Sequence, residues 1–126
     1  MFNLIGRTDL PALAGVLANC VALVGNDSGA THLGAALGVS VTAVFGPTDE
    51  RVSAPRGDVR VTSATPSDDP SLSRDVGIPK DGLTGAAVLS HPVWCRPCML
   101  RECPLDHGCM LGIGVDAVFA AARRTL

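Results

Sequence analysis

Short apolar runs alternate with polar turns along the first half of this chain. The run Val21–Val24 is followed by the polar turn Asn26-Asp27-Ser28-Gly29, then by an amphipathic stretch Ala30–Leu37 that Gly38 closes, then by a second apolar run Val41–Phe45. This order predicts strand, turn, short helix and strand, a βαβ unit. Upstream, Phe2–Ile5 predicts a strand. Thr8 or Asp9 can cap a helix over Leu10–Asn19, with Pro11 suited to its first turn. Leu10, Leu13, Val16 and Leu17 recur at helical spacing and predict its buried stripe. Downstream, Val59–Val61 predicts a short strand. The last helix is expected to start near Gly114, with Asp116 in its first turn and Arg123 and Arg124 in its last, matching the helix dipole at both ends. Val115, Val118, Phe119 and Ala122 would form the face that packs on the sheet. Short connections put the two strands of the βαβ unit side by side and parallel. The expected fold class is α/β, a partial Rossmann-like parallel sheet with flanking helices.

Ligands of such sheets sit beyond the C-terminal strand ends. The turn at Asn26–Gly29 lies there, and it opens a helix whose unpaired first-turn N–H groups favour an anion such as phosphate. Asp27 or Ser28 can cap the helix through a side-chain oxygen. Gly29 allows positive φ and a close ligand approach. The backbone of Ala30 belongs to the same turn, Ser28 and Thr31 offer hydroxyls, and His32 offers a ring nitrogen one turn into the helix. A carboxylate repels phosphate, so Asp27 is expected to orient the loop or to accept from a ribose or amide. The second polar loop, Gly46-Pro47-Thr48-Asp49, falls at the end of the next strand, where Thr48 and Asp49 can contact phosphate or sugar hydroxyls. Arg51 and Arg56 follow and can pair with a diphosphate. The plain alternatives are a helix cap, a strand-end turn and solvated charges.

Composition refines this picture. Hydrophobic residues make up 47% of the 126 positions but aromatic ones only 3%, so the core must rest on Ala, Val and Leu. A net charge of −2 gives no electrostatic case for nucleic acid. No apolar run approaches the roughly 20 residues of a membrane span, and the N-terminus has no basic start ahead of an apolar stretch, so a cytoplasmic location is expected. From Ser63 the chain turns rich in Ser, Asp, Pro, Gly and Thr. The expected organisation is a βαβ core over 1–62, a flexible insert over 63–87, and a Cys-rich loop with the terminal helix over 88–126.

Four of the five cysteines cluster as Cys95-x2-Cys98-x4-Cys103-x5-Cys109. Thiolates at such spacing can wrap one structural Zn²⁺, although the second pair is not a CxxC. Two disulfides and free thiols packed as small hydrophobes are the other readings. Pro92, Pro97, Pro104, Gly108 and Gly112 make the region loop-rich, which is where a staple helps. Trp94 is expected to anchor packing, and the isolated Cys20 to lie in the core.

The run Val24-Gly25-Asn26-Asp27-Ser28-Gly29-x-x-His32-Leu33-Gly34-Ala35-Ala36-Leu37-Gly38, followed by Val44-Phe45-Gly46-Pro47-Thr48-Asp49, resembles the signature of glycosyltransferase family 9, the heptosyltransferase-like group. Asn3–Leu10 upstream, and Trp94-Cys95-Arg96-Pro97-Cys98 with Cys103 and Cys109 downstream, resemble further family segments. The resemblance implies the C-terminal, donor-binding domain of a GT-B enzyme. It implies a nucleotide diphosphate sugar of the ADP-heptose kind held at Asp27, Ser28, Gly29, Ala30, Thr31, His32, Thr48 and Asp49. His32 would stabilise the leaving diphosphate, and no metal would be needed for the chemistry. It implies a glycan or glycolipid acceptor of the lipopolysaccharide type, bound by a domain that the chain does not match, and association with the inner membrane face. The general base of such enzymes lies in that other domain, so this chain is expected not to catalyse alone. The competing expectation is a non-catalytic module stapled by zinc, or an inactive remnant.

Overall fold

The computed structural model describes residues 1–55, 59–63 and 85–126. Its elements in chain order are α1 (Leu10–Ala18), β1 (Ala22–Asn26), α2 (Gly29–Ala36), β2 (Ser40–Phe45), α3 (Glu50–Ser53), β3 (Val59–Ser63), β4 (Ala86–Ser90), α4 (Gly108–Leu111) and α5 (Val115–Thr125). The four strands form one sheet in the order β1-β2-β4-β3, and every neighbouring pair is parallel. Val24 lies opposite Thr42, and Ala43 opposite Val88. All strand C-termini therefore share one edge of the sheet, which carries the turn after β1, the loop after β2 and the start of the cysteine segment after β4.

Both faces of the central strands are covered. Val41, Ala43, Phe45, Ala86 and Val88 form one buried cluster, with Leu23 of β1 and Ala35 of α2 packed against it. Ala87 and Leu89 point to the other face, where Ala121 and Ala117 of α5 and Ile113 meet them. Alternate residues of a strand serve opposite faces, so a strand covered on both sides reads as an unbroken apolar run. All five residues of β4, Ala-Ala-Val-Leu-Ser, are buried. The core rests on small aliphatic side chains, and Phe45 is its one fully buried aromatic among the described residues.

The βαβ unit lies where its pattern predicted, with ends shifted by one or two residues. Other expectations need correction. Phe2–Ile5 forms no strand; Phe2 and Ile5 are exposed. The α1 stripe narrows to buried Leu17 and half-buried Leu13, while Leu10 and Val16 face solvent, because α1 rests chiefly on α2. On α5 the packed face is Ala117 and Ala121, one turn apart, and Val115 and Phe119 lie outside it. Small side chains let a helix sit close to a sheet, and here the alanines mark the contact. Cys20 is exposed, its thiol donating to the Val16 carbonyl at 3.3 Å. Ala86 and Ala87, assigned by composition to the insert, begin the buried strand β4. The rest of that insert, 64–84, lies outside the described residues, as does Arg56.

Candidate functional site

Two polar loops follow the C-terminal ends of the adjacent parallel strands β1 and β2. The first runs from Asn26 into α2. Asp27 extends the ladder by donating its amide to the Val44 carbonyl at 3.2 Å, which ties the turn to β2. Thr31 then turns inward. Its side chain is 1% exposed, and its hydroxyl donates to the Asn26 carbonyl at 2.6 Å and lies 3.1 Å from Ser28 Oγ. Gly25 makes room for this strut, since a Cβ there would come 2.9 Å from Thr31 Oγ1. The turn is held by these bonds within itself and to β2.

The expected residues therefore divide. Thr31 is structural, whereas Ser28, Gly29 and His32 are exposed, and Asp27 and Ala30 are half-buried. Ser28 holds the N-cap position with extended backbone, yet no side chain caps the helix, because the Ser28 hydroxyl turns to Thr31. Asp27 does not cap either; its Oδ1 lies 3.5 Å from His32 Nε2. That contact orients the ring and leaves Nδ1 as its other nitrogen. Gly29 does not use positive φ, which among the described glycines belongs to Gly6 and Gly38. A Cβ at Gly29 would meet open space. The first turn of α2 thus carries amides that no side chain caps, a geometry that attracts anions.

The second loop, Gly46–Asp49, is held from a distant segment. The Arg96 side chain is 9% exposed and donates to the Gly46 carbonyl at 2.6 Å, the Thr48 carbonyl at 3.0 Å and Glu50 Oε2 at 2.6 Å. The amides of Cys98 and Met99 both donate to the Pro47 carbonyl at 3.1 Å. Ser90 Oγ donates to the other Glu50 oxygen at 3.1 Å. Thr48 Oγ1 is buried and has no partner among the described residues. The Asp49 carboxylate caps α3 through the Arg51 amide and receives Nε and Nη2 of Arg51 at 3.0 and 2.8 Å. These bonds from Arg51 hold the Asp49 carboxyl below the usual carboxylate range and raise the Arg51 guanidinium. Arg51 is thereby committed to Asp49.

Glu50 and Ser90 gave no signal in the sequence, and Arg96 stood out only as part of the Trp94–Cys98 run, with no role attached to it. Arg96 sits among cysteines and prolines, 46 residues from Glu50, and nothing local marks so distant a partner.

Residues 91–107 carry no helix or strand. Cys95, Cys98, Cys103 and Cys109 are free thiols that line one cavity of about 160 Å³, together with Pro47 and Trp94. No three His, Cys, Asp or Glu side chains among the described residues converge as a metal would require. As placed, these thiols do not fit a tetrahedral zinc. Trp94 is 88% exposed and anchors no core. No helix among the described residues is long and apolar enough to cross a membrane.

A parallel α/β sheet with two polar loops at the carboxyl ends of adjacent strands is an architecture shared by many nucleotide-binding proteins. The sequence pattern of glycosyltransferase family 9 (heptosyltransferase) matches residues 1–74, which include α1, the βαβ unit and both loops. The chain belongs to that family. It is similar to lipooligosaccharide heptosyltransferase 2 of Campylobacter jejuni (serotype O:2), with 28% identity over 98% of this chain and 31% of that protein. It is also similar to the enzyme of the same name from Haemophilus influenzae, with 41% identity over 44% of this chain and 16% of that protein. The chain thus spans less than a third of the length of these curated relatives. No solved structure matches it.

Proposed function

We propose that these residues form the donor-binding part of a heptosyltransferase-like enzyme of the GT-B kind, with the nucleotide sugar at the edge of β1 and β2. The observation that carries this reading is the first turn of α2, which no side chain caps and which follows β1, the parallel neighbour of the strand that leads into the Gly46–Asp49 loop. The amides of Gly29 and Ala30 would hold the diphosphate, with Ser28 Oγ close by. Asp27, repelled by phosphate, would orient His32 and accept from a sugar or ribose hydroxyl. Thr48 would line the donor site, and Asp49 would stiffen the loop through Arg51.

Transfer breaks the bond between the sugar and the diphosphate, so negative charge grows on the departing oxygen. Groups aimed at that charge lower the barrier. The α2 N-terminus and His32 would supply this stabilisation, which requires no metal. The donor would be of the ADP-heptose kind and the acceptor a hydroxyl of a lipooligosaccharide or related glycolipid, met at the membrane face. The acceptor site and the base that deprotonates the hydroxyl would lie in residues beyond this chain.

Calorimetric titration of the folded chain with ADP, UDP and GDP tests the reading. Binding of one nucleotide, lost in a Ser28→Arg, Gly29→Asp double variant, is the expected result. A folded chain that binds none of the three would overturn it.

A further inference from the structure

We infer that Arg96 is a positioning residue for the nucleotide-sugar site, acting through the Gly46–Asp49 loop; this rests on the donor-site reading above. The loop has few bonds of its own, because Gly46 and Pro47 belong to neither β2 nor α3. Its shape comes from outside. Three successive carbonyls, of Gly46, Pro47 and Thr48, accept bonds from the segment 96–99, and Arg96 supplies two of them. The same guanidinium reaches Glu50, so one side chain fixes the loop and the start of α3 together. A planar fork with several donors at fixed angles can serve these acceptors at once, which an ammonium cannot do.

Arg96 is not itself placed to meet a ligand. Its Nε and Nη2 are occupied, its Nη1 lies 3.5 Å from the His91 carbonyl, and its side chain is nearly enclosed. Its charge is matched by Glu50, whose second oxygen Ser90 occupies at the end of β4. Ser90 lies opposite Phe45 in the sheet. The chain of contacts therefore runs from the sheet edge through Glu50 and Arg96 to the carbonyls that orient Thr48. The cysteine segment, with no helix or strand before α4, serves as the brace that carries this side chain.

Three chains decide the matter: the unaltered protein, Arg96→Lys, and Arg101→Met, an exposed control in the same segment. Each is compared by amide hydrogen exchange and by titration with ADP, UDP and GDP. Arg96→Lys should remain folded, with faster exchange in the Gly46–Arg51 loop, unchanged exchange in Val41–Val44, and nucleotide binding about tenfold weaker. Arg101→Met should match the unaltered chain in both readouts. Unchanged affinity in a folded Arg96→Lys would overturn the inference and leave the donor site standing. A folded, unaltered chain that binds no nucleotide would overturn the donor-site reading, and this inference with it. If Arg96→Lys does not fold, Glu50→Gln, which removes the ion pair and keeps an acceptor, takes its place with the same outcomes.

Discussion

Thr31 illustrates how the turn after β1 is built. Its hydroxyl is buried and ties the first turn of α2 back to the Asn26 carbonyl. Thr31→Val keeps the shape but leaves that carbonyl without its donor, at a cost of about 1–3 kcal/mol. Chemical denaturation should show this loss, and Thr31→Ser should restore most of it; equal stability of Thr31→Val and the unaltered chain would contradict the strut. Asp49 carries an acid-sensitive contribution. Its carboxyl is lowered chiefly by the Arg51 side chain, so the stabilisation is complete above the usual carboxylate range and fades as pH falls through the lowered folded value. Asp49→Asn should be the less stable protein near neutrality, and the gap should close on acidification, as the pH falls below the usual carboxylate range and through the lowered folded value. A gap that does not change with pH would contradict the pairing. In sequence, Ser28 and Thr31 are indistinguishable as hydroxyls that a ligand could meet. Only the fold separates them, since burial of Thr31 depends on Gly25 leaving space beneath it.

Elements were legible in proportion to how local their causes are. The βαβ unit shows in the sequence because its turn residues, apolar runs and closing Gly38 are contiguous; Gly38 takes the positive φ that glycine adopts freely. Strand β4 was not legible. Its five residues are buried on both faces, so they show no alternation, and they follow a long polar stretch. The packed face of α5 was misassigned for a related reason, because the helix meets the sheet through Ala117 and Ala121 rather than through its larger apolar residues. Leu89 in β4 is 1% exposed, whereas Val52 in α3 is 84% exposed. Leu89→Ala should cost about 2–5 kcal/mol in denaturant unfolding. Val52→Ala should fall within about 0.5 kcal/mol of the unaltered chain. A mild effect at Leu89 would mean that β4 does not form the centre of the sheet.

At the scale of the whole molecule, the sheet gathers residues that are far apart in sequence onto one edge. Parallel pairing places the ends of β1, β2 and β4 together, so the turn at Asp27–Gly29, the loop at Gly46–Asp49 and the brace at Arg96 share that edge. The first two were readable as strand-end loops, while the third depends on a pairing that local pattern cannot encode. The cysteines follow the same logic. Their clustering is visible in sequence, but what they enclose is a cavity lined by free thiols, with no metal-holding group among the described residues. This leaves two surfaces at which a nucleotide could be sought, the α2 turn and the cysteine-lined cavity.

Amide chemical-shift mapping during a titration with the nucleotide that binds separates those surfaces in one measurement. The account predicts that Gly29, Ala30, His32 and Thr48 move together along a single binding curve, while Cys103 and Leu105, which line the cavity away from the Gly46–Asp49 loop, stay in place. Shifts confined to the cysteine-lined cavity, or none at a nucleotide concentration that saturates calorimetric binding, would contradict it.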